Sequence, residues 1–149
     1  MTSEEPARVF VSYTHADSAR VVDIVQVLEE LGIPTWVDVG NLKPGLRWKA
    51  QIRDAIIQSP AAILCLSSAY IAKDRTYVNE ELTLMIEELR QRRVDRVWLL
   101  VVRLDECVVP DRLIGAGESL RDLQYIDLFP DVEASLGELV AALSSVLEE

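Results

Sequence analysis

Apolar positions along this chain alternate between short runs and helically spaced stripes from one end to the other. Residues 8–13 (RVFVSY) are β-branched and aromatic, as a strand requires. Asp17 or Ser18 is placed to cap a helix whose Val21, Ile24, Val25, Leu28 and Leu31 keep helical spacing, and Gly32 ends it. Residues 33–39 (IPTWVDV) alternate as a second strand. The turn-rich loop 40–48 follows. Within it Pro44 presets one dihedral and Gly45 takes the positive φ of a type II turn. A helix then carries Trp48, Ile52, Ala55 and Ile56 on one face. Residues 61–66 (AAILCL) and 96–104 (RVWLLVVRL) are nearly continuous apolar runs, the pattern of strands buried on both faces. Val78, Leu82, Met85, Ile86 and Leu89 mark a helix between them. A fifth strand spans 124–129, and Leu136, Leu139, Val140, Leu143 and Leu147 mark a last helix. Residues 103–123 read as irregular, with a short helix at most.

This alternation predicts an α/β fold of three-layer, flavodoxin-like type: a five-stranded parallel sheet with helices on both faces. Such folds bind ligands at the carboxyl ends of the strands, near the point where strand order reverses. Three loops therefore matter most: the one after Tyr13, residues 38–48, and residues 67–77.

The chain has 149 residues, half of them apolar, and a net charge of −10. That suits one domain and excludes a nucleic-acid groove, which needs clustered cations to displace counterions. Arg90, Arg92, Arg93 and Arg96 are mixed with acids and read as a solvated helix end. Cys65 and Cys107 make no disulfide framework, no signal peptide is recognisable, and no apolar run is long enough to span a bilayer. A cytoplasmic location and no membrane partner are expected. The single histidine, His15, has no partner at ligand spacing, so no metal site is expected.

Two adjacent glutamates open the helix after residue 77. On a wheel of 100° per residue Glu80 points away from the apolar face, and Glu81 lies about 60° from its centre. Glu81 therefore meets packed structure at the mouth of the 67–77 loop, whereas Glu80 is a solvated acid favoured by the helix dipole. An acid at that border of a helix start is by default structural.

The segments VFVSYTHAD, VDVGNLKPGLRW, ILCLSSAYIAKDRTYVNEEL and LQYIDL, in that order, resemble a TIR (Toll/interleukin-1 receptor) domain over nearly the whole chain. The family pattern of a serine, a loop, an aromatic residue and then Glu-Leu maps onto Ser67, Tyr77, Glu81 and Leu82. The resemblance implies that Glu81 is the catalytic glutamate. Tyr77 replaces the usual tryptophan and keeps an aromatic face. Leu42, Lys43, Pro44 and Gly45 stand where animal receptors often carry Arg-Asp before Pro-Gly, and the terminal Phe-Trp pair of animal receptors is missing. The chain is more similar to bacterial members.

Resemblance to enzymatic TIR domains implies cleavage of NAD+ as substrate, with no cofactor, at the nicotinamide–ribose bond. Nicotinamide leaves as a neutral base and needs no general acid. One carboxylate can stabilise the sugar cation, and an ordinary glutamate, with a pKa of about 4.3, is charged at neutral pH. No glycine-rich phosphate fingerprint is present. Expected substrate contacts are Tyr13, Thr14, Asp38, Trp48, Ser67 and Tyr77, each of which has an equally ordinary packing role. Residues 42–45 form the expected assembly loop. The product is ADP-ribose or a cyclic isomer. The resemblance further implies self-association through TIR–TIR contacts and a role as effector in bacterial antiviral or immune signalling. It also implies a fused or partner sensor domain, with residues 1–149 as a single N-terminal effector module. The rival reading is a non-catalytic TIR–TIR scaffold. A phosphoacceptor receiver is disfavoured, because the first and third strands end in Ser12-Tyr13 and Ser67-Ser68 rather than in acids.

Overall fold

The computed structural model describes residues 7–37, 45, 47–72, 77–93 and 95–148, with side chains omitted for 77–79. Five parallel strands form one sheet: β1 (Val9–Ser12), β2 (Thr35–Trp36), β3 (Ala62–Leu66), β4 (Leu99–Arg103) and β7 (Tyr125–Asp127). Their order is β2-β1-β3-β4-β7, so the chain reverses direction across the sheet between β1 and β3. This is the flavodoxin-like arrangement, and the switch point lies at the carboxyl ends of those two strands.

Side chains alternate across each strand, and two cores follow. Val9, Val11, Ile63, Cys65 and Val102 face one layer, against Val21, Ile24 and Leu28 of α1 (Ser18–Glu30) and Leu139 and Leu143 of α5 (Val132–Leu147). Phe10, Leu64, Leu66 and Val101 face the other. There they meet Ile52 and Ile56 of α2 (Trp48–Gln58) and Leu82, Met85 and Ile86 of α4 (Tyr77–Gln91). By that alternation Ser12, two residues after Phe10, points toward the α2/α4 layer. A short helix, α3 (Ser68–Ile71), follows β3.

Three expectations need correction. Residues 103–123 are not simply irregular: β5 (Leu113–Gly115) and β6 (Glu118–Ser119) pair antiparallel, and a 3-10 turn, Leu120–Asp122, follows. The hairpin turns through Ala116 (φ 52°) and Gly117 (φ 80°), two left-handed residues as tight hairpins require. Alanine in the first of those positions hid the signal. Asp17 precedes α1 but its side chain makes no cap hydrogen bond, being engaged elsewhere. Arg92 is not a solvated helix end. Its guanidinium stacks on Trp98 with its carbon 4.7 Å from the ring centroid, and pairs with Glu88 at 2.8 Å. It also donates to the Ile57 and Ser59 carbonyls, satisfying acceptors that the end of α2 leaves over.

Arg103 joins β4 to β7. It donates to both Asp127 carboxylate oxygens at 2.6 and 2.8 Å and stacks on Tyr125. Hydrogen bonding to this guanidinium holds the Asp127 carboxyl below the usual carboxylate range. A depressed folded-state pKa adds stability that is complete above the unfolded value, about 3.9, and is lost as pH falls through the folded one. Melting temperature measured from about pH 7 to about pH 3 is therefore expected to drop less steeply in Asp127→Asn than in the wild type.

Both cysteines are free and buried. Burial, aided by the Asp17 charge, pushes the Cys65 thiol up to about 12. Burial and then the Asp105 charge raise Cys107 as well. Thiolate is the reactive form, so a maleimide at mildly alkaline pH should label neither cysteine in the folded protein and both after unfolding.

Candidate active site

At the switch point the carboxyl ends of β1 and β3 bring together side chains far apart in sequence. The Glu81 side chain runs from the fifth residue of α4 to the end of β1. There the Ser12 hydroxyl donates to its Oε1 at 2.5 Å. Ser12 Oγ also lies 3.0 Å from the Tyr70 hydroxyl of α3. Ser67 caps α3 by accepting from the Tyr70 backbone N–H at 3.0 Å, and donates its own proton to Asp17 Oδ2 at 2.5 Å. Two hydrogen-bonded chains, Glu81–Ser12–Tyr70 and Asp17–Ser67–Tyr70, thus meet at one tyrosine. All five residues are buried: Asp17 is 7% exposed, Tyr70 3%, and Ser12, Ser67 and Glu81 1% each.

The direction of donation follows from chemistry. Ser12 has one proton and gives it to Glu81 Oε1, so the Tyr70 hydroxyl donates to Ser12. Burial raises the Tyr70 phenol well above its ordinary value, opposed in part by the Ser12 bond, and nearby Glu81 adds to the rise. Tyr70 therefore keeps its proton and stays a donor. Arg112, just before β5, donates to Thr83 Oγ1 at 3.0 Å and brings a cation within electrostatic reach of Tyr70.

The two glutamates separate as the wheel predicts, and more sharply. Glu80 is half-exposed and pairs with Lys49 at 3.4 Å, whereas Glu81 lies inside, because Ser12 and Tyr70 cover the flank that the wheel leaves at the border. The Lys49–Glu80 pair joins the first turns of α2 and α4. The same Lys49 ammonium lies 6.0 Å from the ring centroid of Trp48, the first residue of α2, which is 38% exposed.

The other expected contacts are distributed unevenly. Ser67 is in the cluster, bound to Asp17 and to backbone. Thr14 is buried at 2%, with its carbonyl accepting from the Asp17 N–H at 2.9 Å. Tyr13 packs into the α1/α5 layer, on the opposite face of the sheet from Glu81. Gly45 has the positive φ, +85°, that a Pro-Gly turn needs. Asp38, Leu42, Lys43, Pro44 and the Tyr77 side chain lie outside the described residues. Ser12, Asp17 and Tyr70 belong to the buried cluster around Glu81 and were not among the candidate site residues expected from sequence. The one local signal was Ser12 itself, a hydroxyl ending an apolar strand. Among the described residues no group of three His, Cys, Asp or Glu is placed to hold a metal ion, and no helix is long and apolar enough to cross a membrane.

A family model for the TIR domain matches residues 9–140. The chain belongs to the TIR domain family. The TIR domain of the Toll-related receptor TRR-2 from Hydra magnipapillata superposes with a TM-score of 0.69 at 21% identity, covering 93% of this chain and 96% of that one. At that identity the likeness concerns the fold. TIR domains of the activated Roq1 resistosome, which directly recognises the pathogen effector XopQ, match at 27% identity and a TM-score of 0.58. That match covers 66% of this TIR domain and 58% of the Roq1 chain. A TIR-STING receptor from C. gigas, in complex with 2',3'-cGAMP, matches at 22% identity and a TM-score of 0.64 over 91% of this domain and 40% of the receptor. No protein of curated function shows significant similarity to the chain.

Proposed function

We propose that this TIR domain cleaves NAD+ at the bond between nicotinamide and ribose, with Glu81 as the catalytic carboxylate. The observation that carries the reading is the placement of Glu81, at the switch point where α/β folds bind ligands, gripped by a buried hydroxyl at 2.5 Å. In the reaction the C1′–N1 bond breaks and its electron pair leaves with nicotinamide, which departs neutral. The ribose is left as an oxocarbenium cation facing Glu81. A desolvated carboxylate acts on such a cation far more strongly than one in water. Water adds at C1′ and loses a proton to give ADP-ribose. Attack by a nucleophile of the same molecule gives a cyclic isomer instead. Trp48, and Tyr77 of the family pattern, are the aromatic residues assigned to the nicotinamide or adenine ring.

With Glu81 1% exposed, the site is closed among the described residues, and self-assembly through TIR–TIR contacts is the step that opens it. The domain then acts as a bacterial-type effector in antiviral or immune signalling, under the control of a sensor domain. The same burial favours a second reading, a TIR–TIR scaffold in which Glu81 is only a satisfied core acid. Incubation of concentrated protein with NAD+, followed by chromatography, separates the two. Catalysis yields nicotinamide together with linear or cyclic ADP-ribose, and a scaffold leaves NAD+ intact while still self-associating.

A further inference from the structure

We propose that Ser12 is a positioning residue for Glu81, with the Tyr70 hydroxyl fixing the direction in which the Ser12 proton points. The inference rests on the reading of Glu81 as the catalytic carboxylate and adds two residues to it. Ser12 ends a strand whose other members, Val9, Phe10 and Val11, are apolar and buried. A buried hydroxyl is costly unless it is bonded, and alanine would fill the place without a polar atom. Both bonds of this hydroxyl lead to the site: it donates to Glu81 Oε1 at 2.5 Å and meets the Tyr70 hydroxyl at 3.0 Å.

The arrangement has a direction. Tyr70 donates to Ser12, which directs the Ser12 proton toward Glu81 and prevents it from rotating away. Tyr70 is itself held by Ser67, whose hydroxyl accepts from its backbone N–H, so the orienting phenol stands on a capped helix end rather than on a free loop. A glutamate has three rotatable bonds, and a single carboxylate working without a general acid depends on its placement against C1′. Ser12 supplies that placement without touching the substrate.

The test is the kinetics of nicotinamide release by assembled wild-type chain, Ser12→Ala, Ser12→Thr and Tyr70→Phe, with melting curves to show that each is folded at the assay temperature. Ser12→Ala is expected to lower kcat roughly 10- to 100-fold with KM within about threefold, the range of one hydrogen bond to a charged group. Ser12→Thr keeps the hydroxyl and adds a methyl group. It should recover to within about fivefold of wild type, whereas a packing role would make the larger residue at least as harmful as alanine. Tyr70→Phe should lower kcat about fivefold. If Ser12→Ala does not fold, Tyr70→Phe decides: a loss supports the inference and an unchanged kcat overturns it. Wild-type turnover that Ser12→Ala leaves within about twofold, or Ser12→Thr as impaired as Ser12→Ala, overturns the inference alone. Absence of turnover in the wild type removes the underlying reading and the inference together.

Discussion

Glu81→Ala is expected to abolish nicotinamide release from NAD+, with a loss of at least about 100-fold, and Glu80→Ala to leave the rate within about threefold. The two residues are adjacent, equally acidic and on the same helical turn, so composition and net charge change identically in the two variants. Only placement differs. Glu80 pairs across 3.4 Å with Lys49, both side chains being half-exposed, and exposed pairs of this kind contribute little to stability. Glu81 lies buried between β1 and α4, bonded to Ser12. A preorganised charged group facing a developing cation typically supplies two to three orders of magnitude in rate, which sets the expected loss. Self-association, followed by light scattering, should persist in Glu81→Ala. Loss of assembly along with activity would mean that the substitution damages the fold rather than the chemistry.

The largest stability effect is expected at Phe10. This residue is 0% exposed in the centre of β1, stacked on Trp36 with ring centroids 5.4 Å apart and an interplanar angle of 19°. It links β2 to the α2/α4 core. Phe10→Ala removes the buried ring and the stacking contact and leaves a cavity that the surrounding strands cannot close. The cost is about 3–5 kcal/mol. For a domain of this size that lowers the melting temperature by roughly 10 °C or more. Val22→Ala, at a site 56% exposed on α1, should change stability by less than about 0.5 kcal/mol. Calorimetry on the two variants checks the pair, and similar melting temperatures for both would contradict the assigned core.

The sheet was legible because its strands are short buried apolar runs: Ala62–Leu66 is apolar at every position and too short for a helix of ordinary length. The helices were legible from their stripes, and the same periodicity chose Glu81 over Glu80. Periodicity describes one element at a time, and there it stopped. Ser12 and Glu81 are 69 residues apart, Ser12 and Tyr70 58, and Ser67 and Asp17 50. Nothing local states that these hydroxyls and carboxylates converge. Asp17 looked like a helix cap because acids before a helix usually are, and its side chain found a stronger partner in Ser67. Arg92 looked solvated because its neighbours are charged, although Trp98 and the end of α2 hold it.

NAD+ cleavage at Glu81 is tested most directly by nicotinamide release measured per mole of wild-type chain over a wide range of protein concentration, with a crowding agent at the upper end. A closed site that assembly opens predicts specific activity that rises with concentration, reaches a plateau and is absent throughout from Glu81→Ala. No nicotinamide at any concentration, or equal release from Glu81→Ala, would contradict it.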